Sequence, residues 1–284
     1  MLLSEDSWEV VTLDLRVRPV IKWAGGKRQM LGQYAPYFPL DYRAYHEPFL
    51  GGGAVYFFLS PAKAFLSDIN EELINMYRVL QTSVRELIND LHSHLNDREY
   101  YYNLRAMDPA GLNEVQRASR LIFLNKTCYN GLYRVNRKNQ FNVPFGSYAK
   151  PKIVDEEVLL AAHFALQGAT LERKDFQVVL DRSRSGDFVY FDPPYVPLSR
   201  TANFTDYTNG SFDSREQARL ADTFHELTQK GCLVMLSNSD TPLIRDLYGK
   251  YLKGFVVVQG VRCVNSRGDR RGRIDELLIC NWLK

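Results

Sequence analysis

Phe188-Val189-Tyr190-Phe191-Asp192-Pro193-Pro194-Tyr195 is a run of apolar and aromatic residues that breaks off in an acid, two prolines and a ring. A short apolar run bounded by turn residues reads as a buried strand. The prolines fix φ and donate no hydrogen bond, so the corner they make is stiff and its carbonyls face outward. In open α/β sheets ligands bind beyond the carboxyl ends of strands, which makes this corner a candidate site. On this stretch alone, a rigid strand end carrying a solvated aspartate is the plainer alternative.

Working outward, the same kind of strand recurs. Apolar runs at 44–49, 63–66, 169–171, 233–237, 255–259 and 276–282 predict further strands, with helices beginning at Val55 and Glu71 between the early ones. This alternation is the signature of an α/β sheet. It is interrupted between 83 and 150, where Val84, Leu87, Ile88 and Leu91, then Val115, Ala118, Leu121 and Ile122, keep helical spacing. Turns rich in Asn, Gly and aromatic residues follow. The expected organisation is one sheet domain from 1–80 and 153–284, split by a mainly helical insertion over 81–152.

Composition narrows the class. The chain has 284 residues of which 45% are hydrophobic, enough for a sizeable core, and a formal net charge of only +3. That charge does not by itself announce a nucleic-acid partner. Glu5, Asp6, Glu9 and Asp14 near the start are unlike a secretory signal, and no run is long enough to span a bilayer. Cys128, Cys232, Cys263 and Cys280 are far apart, without a C-x-x-C pair or nearby histidines. Neither a metal site nor a disulfide framework is expected, and reduced, buried thiols in the cytoplasm are.

A second motif is Glu47-Pro48-Phe49-Leu50-Gly51-Gly52-Gly53, a glycine-rich turn between an apolar run and a helix. Alone it is indistinguishable from an ordinary turn. Asp68, at the carboxyl end of the next apolar run, is placed to hold ribose hydroxyls, and the two features support each other. Gly25-Gly26-Lys27 is not a phosphate loop, because Ile21 and Arg28 stand where that pattern needs a glycine and a hydroxyl. Trp23 and Lys27 then suit a ligand with a purine ring and a carboxylate.

Charge supplies a third signal. From Val115 to Val154 there is no Asp or Glu, yet Arg117, Arg120, Lys126, Arg134, Arg137, Lys138, Lys150 and Lys152 occur among Phe123, Tyr129, Tyr133, Phe141, Phe145 and Tyr148. Cations beside aromatic rings suit phosphate contacts with stacking or wedging between bases. A solvated face over a small aromatic core is the plainer alternative. Arg262, Arg267, Arg270, Arg271 and Arg273 form a second cluster, readable as phosphate contacts or as an ordinary surface loop.

The corner at Asp192 suits one chemistry in particular. An amino group on an aromatic base is a poor nucleophile because its lone pair is delocalised into the ring. The Asp192 carboxylate and the Pro193 carbonyl could each accept one amino hydrogen, aiming the lone pair and stabilising the developing charge. The Tyr195 ring offers a surface on which an extruded base can stack.

The order of glycine-rich turn, basic insertion and Asp-Pro-Pro-Tyr corner resembles the α group of amino-methyltransferases. Tyr129-Asn130-Gly131-Leu132-Tyr133-Arg134-Val135-Asn136, followed by Phe141-Asn142-Val143-Pro144-Phe145-Gly146, looks like the recognition hairpin of the Dam-type DNA adenine-N6 methyltransferases. The continuation of Asp192 into Thr201-Ala202-Asn203-Phe204-Thr205 is also similar, and the likeness runs from Ile21 to the last strand. It implies a Rossmann-like S-adenosylmethionine-dependent methyltransferase sheet with an inserted target-recognition domain, acting on adenine in double-stranded DNA at GATC. It further implies catalytic roles for Asp192, Pro193, Pro194 and Tyr195. Cofactor contacts would come from Trp23, Lys27, Pro48, Phe49, Gly51, Asp68, Asp175, Phe176 and Asp192.

By the same resemblance Arg134 reads a guanine, Tyr129 wedges into the stack, Asn130 holds a phosphate, and Leu132 and Pro144 pack on base edges, with Asn136, Arg137 and Lys138 also at the DNA. No metal or membrane is implied, and a cognate restriction endonuclease is a conceivable partner. Tyr133 has no fixed counterpart in that hairpin. The loop 196–212 has the Ser, Thr, Asn and Gly content of a lid. Rivals are an adenine-N6 or cytosine-N4 enzyme with another DNA or RNA site, and an inactive DNA-binding regulator on the same fold.

Overall fold

The computed structural model describes residues 17–196, 212–249, 255–261 and 273–283. The loop 196–212, apart from its two end residues, lies outside them, as do Cys263 and the arginines from Arg262 to Arg271.

Seven strands form one sheet: β1 (Tyr45–Glu47), β2 (Ala64–Asp68), β3 (Ala169–Arg173), β4 (Phe188–Phe191), β5 (Leu233–Ser239), β6 (Val256–Val261) and β7 (Arg273–Cys280). Their spatial order is β3-β2-β1-β4-β5-β7-β6, parallel throughout except for β7, which runs antiparallel to both β5 and β6. The Rossmann-like α/β sheet expected from the sequence is therefore present. Strand order reverses between β1 and β4, and in such sheets the crevice at that switch point is where ligands bind.

Burial on both faces explains the apolar runs. All four residues of β4 are fully buried; Phe188 and Tyr190 face one core cluster and Val189 and Phe191 the other. That alternation is the pleat of a strand covered on both sides. β1 is shorter than the run 44–49 suggests, because Pro48 has no N–H to offer the ladder and Gly51 turns the chain away at φ +47°.

The helices are α1 (Leu31–Tyr34), α2 (Ala54–Leu59), α3 (Glu71–Thr82), α4 (Val84–His92), α5 (Arg98–Ala106), α6 (Glu114–Thr127), α7 (Glu156–Leu166), α8 (Val178–Arg182), α9 (Ser214–Gln229) and α10 (Pro242–Gly249). Side-chain caps start the longer ones: Asn70 accepts from Leu73 N–H, and Asn113 forms a reciprocal capping box with Gln116. On one face of the sheet, α3, α4, α6 and α7 share the largest core cluster, which includes Leu87, Leu91, Leu121 and Ile122. On the other face, α9 and α10 bury Leu220, Phe224, Ile244 and Tyr248.

A smaller cluster of Tyr101, Leu104, Phe123, Leu124, Cys128, Phe141 and Val143 hangs from the far side of α6. Of the helices between 84 and 127, α4 and one face of α6 thus pack on the main core, whereas α5 and the hairpin that follows belong to this satellite. Cys128, Cys232 and Cys280 are buried and unpaired, and burial pushes their thiols up, Cys128 to about 11 and Cys280 to about 12.

Candidate functional site

The corner after β4 is held by partners from four other segments. Lys27 Nζ lies 2.7 Å from Asp192 Oδ1, with the lysine side chain 5% and the aspartate 19% exposed. The same ammonium donates to the Gly25 carbonyl at 2.7 Å and stands 4.5 Å from the centroid of the Tyr195 ring. Ser237, at the carboxyl end of β5, donates its hydroxyl to Asp192 Oδ1 at 3.1 Å. Burial pushes the Asp192 carboxyl above its ordinary value; the Lys27 ammonium and the Ser237 hydroxyl oppose that rise.

Tyr195 is oriented from behind. Its hydroxyl donates to Glu276 Oε2 at 2.9 Å, and the Tyr34 hydroxyl donates to the same oxygen at 3.2 Å. Burial, reinforced by Tyr34, Asp192 and Glu276, keeps the Tyr195 phenol protonated well beyond its usual range. The Pro194 carbonyl accepts from Gln217 Nε2 at 2.9 Å, and Gln217 is itself held by Asn238 Nδ2 at 3.1 Å. Among the described residues no donor reaches the Pro193 carbonyl. The corner therefore carries two consecutive acceptors, the Asp192 carboxylate and the Pro193 carbonyl, beside a ring held at its hydroxyl.

Across the switch point lies the glycine turn. Asp68 Oδ2 accepts from Gly51 N–H at 3.0 Å and Oδ1 from Asn70 N–H at 2.9 Å, so each oxygen keeps a further lone pair. Burial raises the Asp68 carboxyl, and these N–H groups counter the rise. Glycine is required at 51 twice over, by its φ of +47° and by the Trp23 indole 2.8 Å from where a Cβ would sit. Glu47 is fully buried beneath the turn, accepting from the Tyr45 hydroxyl at 2.9 Å and Tyr56 N–H at 3.1 Å, and burial pushes its carboxyl well up. Phe49 stacks on Phe176 at 5.4 Å, and Arg219 covers Phe176 at 4.3 Å while pairing with Asp175 at 2.8 Å. The Asp175 carboxylate is thus engaged by arginine.

The hairpin presents a different face. Tyr129 is 52% exposed on a 3-10 turn in which Asn130 adopts φ +58°. Asn130, Arg134, Arg137, Lys138 and Pro144 are exposed and Leu132 half-buried. Arg134 Nε donates to Asn142 Oδ1 at 2.6 Å and Nη2 to the Asn142 carbonyl at 3.2 Å, which tethers the exposed guanidinium to the facing arm of the hairpin. The Asn136 amide is used inside the turn, its Oδ1 accepting from Lys138 and Gln140 N–H at 2.9 and 3.0 Å.

The basic stripe read from the sequence divides here. Arg117 pairs with Glu71 and Glu72, and Arg120 is 6% exposed, donating to the Leu104 and Arg105 carbonyls. Lys152 pairs with Asp155 at 2.8 Å. These three cations hold the fold and Lys126 is half-buried, leaving Arg134, Arg137, Lys138 and Lys150 exposed without a carboxylate beside them in sequence.

Sequence reasoning missed Ser237, Glu276, Tyr34, Gln217 and Asn238. The polar triplet Ser237-Asn238-Ser239 closing an apolar strand was a usable signal. Glu276 and Tyr34 had none, since they meet Tyr195 only through folding.

A family profile described as D12 class N6 adenine-specific DNA methyltransferase matches residues 23–262. The chain is 43% identical to the type II methyltransferase M1.LlaDCHI of Lactococcus lactis subsp. cremoris, covering 94% of this chain and 96% of that protein. It is 41% identical to the type II methyltransferase M.MjaIII of Methanocaldococcus jannaschii, over 94% of this chain and 100% of that one. A DNA adenine methylase of Serratia marcescens is 34% identical over 92% of this chain and 97% of its own length.

Proposed function

Because the chain belongs to the D12 class of N6 adenine-specific DNA methyltransferases, we propose that it transfers the methyl group of S-adenosylmethionine to N6 of an adenine extruded from duplex DNA, within GATC. The observation that carries this reading is the pairing of the adjacent acceptors of Asp192 and Pro193 with a carboxylate cradle at Asp68, on opposite sides of the same switch point.

The crevice fits the donor chemically. Asp68 has lone pairs for ribose hydroxyls, Gly51 brings backbone close, Trp23 and the Phe49–Phe176 pair give apolar faces, and Lys27 suits a carboxylate. When bound, the cofactor supplies an electrophilic methyl group on a sulfonium. Everything else falls to the chain. Tyr195, locked by Glu276, stacks the extruded base. Asp192 and the Pro193 carbonyl accept the two amino hydrogens, so the nitrogen lone pair leaves conjugation and points at the donor.

Lys27 now donates to Asp192 from above the Tyr195 ring, which is where an amino group stacked on that ring would donate. Entry of the base over that ring therefore competes with the Lys27 ammonium for its place there. After transfer the nitrogen carries one proton too many, and Asp192 Oδ1 is the adjacent base for it.

Arg134, Tyr129, Asn130, Leu132, Arg137, Lys138 and Pro144 form the reading surface, on the satellite core below residue 152. Relatives named type II methyltransferases support a cognate restriction endonuclease as a partner. Buried unpaired thiols suit the cytoplasm, and no helix among the described residues is long and apolar enough to cross a membrane. The test is base-resolved detection of N6-methyladenine in duplex DNA treated with the purified protein and S-adenosylmethionine. Methylation confined to GATC is expected, and modification of other sites only would overturn the specificity.

A further inference from the structure

We propose that Tyr133 couples cofactor binding to target reading, by carrying the position of the cofactor turn into the recognition hairpin. The proposal rests on the reading above, in which Trp23 and Asp68 hold the cofactor and Arg134 reads DNA.

Tyr133 stands between Leu132 and Arg134, yet its ring points away from the hairpin's exposed face. It stacks on Trp23 with centroids 4.8 Å apart and planes 23° from parallel. Trp23 in turn presses on Gly51, whose N–H donates to Asp68. The Tyr133 phenol also faces the Asn70 side chain, and Asn70 donates its own N–H to Asp68 and caps α3. The ring is half-buried and packs against both the main core cluster and the satellite cluster, with Phe141 of the hairpin edge-on at 5.8 Å. One side chain of the hairpin thus touches Trp23 and faces Asn70, the two residues that bear on the Gly51–Asp68 contact.

A second tie runs in parallel. The Asn125 amide donates to the Lys22 carbonyl at 2.8 Å and the Gly131 carbonyl at 3.0 Å, and accepts from Lys22 N–H at 2.9 Å. The residue before Trp23 and the entry to the hairpin are therefore clamped by one amide. With the backbone pinned at 131, the orientation of Tyr133 sets how the neighbouring Arg134 projects from the hairpin.

A ligand that settles Trp23 and Asp68 into one arrangement settles Tyr133, and with it Arg134. The effect must be mutual: DNA that orders the hairpin tightens the cofactor by the same factor. Hydrogen bonds inside the hairpin, such as Arg134 to Asn142, give local order but no route to the crevice. Only the Trp23–Tyr133 stack supplies that route among the described aromatic contacts.

The experiment measures the dissociation constant of the cofactor analogue sinefungin by calorimetry, with and without an unmethylated GATC duplex. In the unmodified protein the duplex is expected to tighten sinefungin about tenfold, within the usual range of coupling between sites. Tyr133→Leu keeps bulk without a stacking face and is expected to reduce that ratio to below about twofold, with the thermal transition still cooperative. Tyr133→Phe keeps the ring and most of the ratio. An unchanged ratio in Tyr133→Leu, or no coupling in the unmodified protein, overturns the proposal. Failure of the unmodified protein to bind sinefungin or to methylate DNA would instead sink the underlying functional reading.

Discussion

In the proposed reading the proline corner at 192–195 and the hairpin at 129–148 both serve the same DNA target, yet they are built in opposite ways. Around the corner nearly every polar atom is already engaged, by Lys27, Ser237, Glu276, Gln217 and Asn238, and the half-buried ring of Tyr195 is held at its hydroxyl. On the hairpin Tyr129 and the basic side chains stand in solvent, with few partners beyond their own turn. Chemistry gains from groups that need no reorganisation at the moment of reaction. Reading gains from groups whose hydrogen bonds are completed only by the right base.

That contrast can be broken most decisively at Asp192. Asp192→Ala is expected to lower turnover by on the order of 100-fold or more while leaving fold and much of the DNA affinity intact. Near-normal methyl transfer by this variant would refute the assigned chemistry. The same carboxyl sets a pH limit. Its value is raised by burial, so the ionised acceptor is present above that raised value and is lost below it. The acid limb of kcat/KM should therefore lie above the ordinary carboxylate range, and a profile flat down to about pH 4 would contradict it.

Smaller effects sharpen the comparison. Arg134→Ala should cost ~1 to 3 kcal/mol and relax discrimination at one position of the site, leaving turnover on the remaining sequence context measurable. Intact discrimination at every base would remove the hairpin from its role. Glu276→Ala leaves the Tyr195 and Tyr34 hydroxyls without their shared acceptor, at a cost of ~1 to 3 kcal/mol. The loss should fall on kcat rather than on DNA binding, and single-turnover kinetics would separate the two. Asn142→Ala should weaken discrimination by ~0.5 to 1.5 kcal/mol, since it frees the guanidinium of Arg134 without removing it.

Much of the corner was legible before folding. Two prolines after an apolar run dictate a stiff turn whatever surrounds them, and Gly51 and Asp68 showed themselves by residue type and position. The basic stripe was legible only in part. Arg117 and Arg120 look identical to Arg137 in a one-dimensional reading, but Glu71, Glu72 and two backbone carbonyls claim them. Arg137, on the tip of a turn, meets no such partner in its own neighbourhood of sequence.

Sequence alone determined the strands, the turns and which residue types stand at their ends, because backbone dihedral limits and apolar periodicity act over a few neighbours. Tertiary structure decided which of those ends meet. Ser237 reaches Asp192 across 45 residues, Glu276 reaches Tyr195 across 81, and Tyr34 reaches Glu276 across 242. Contacts at such separations depend on strand order and on the switch between β1 and β4, and no local pattern encodes that order.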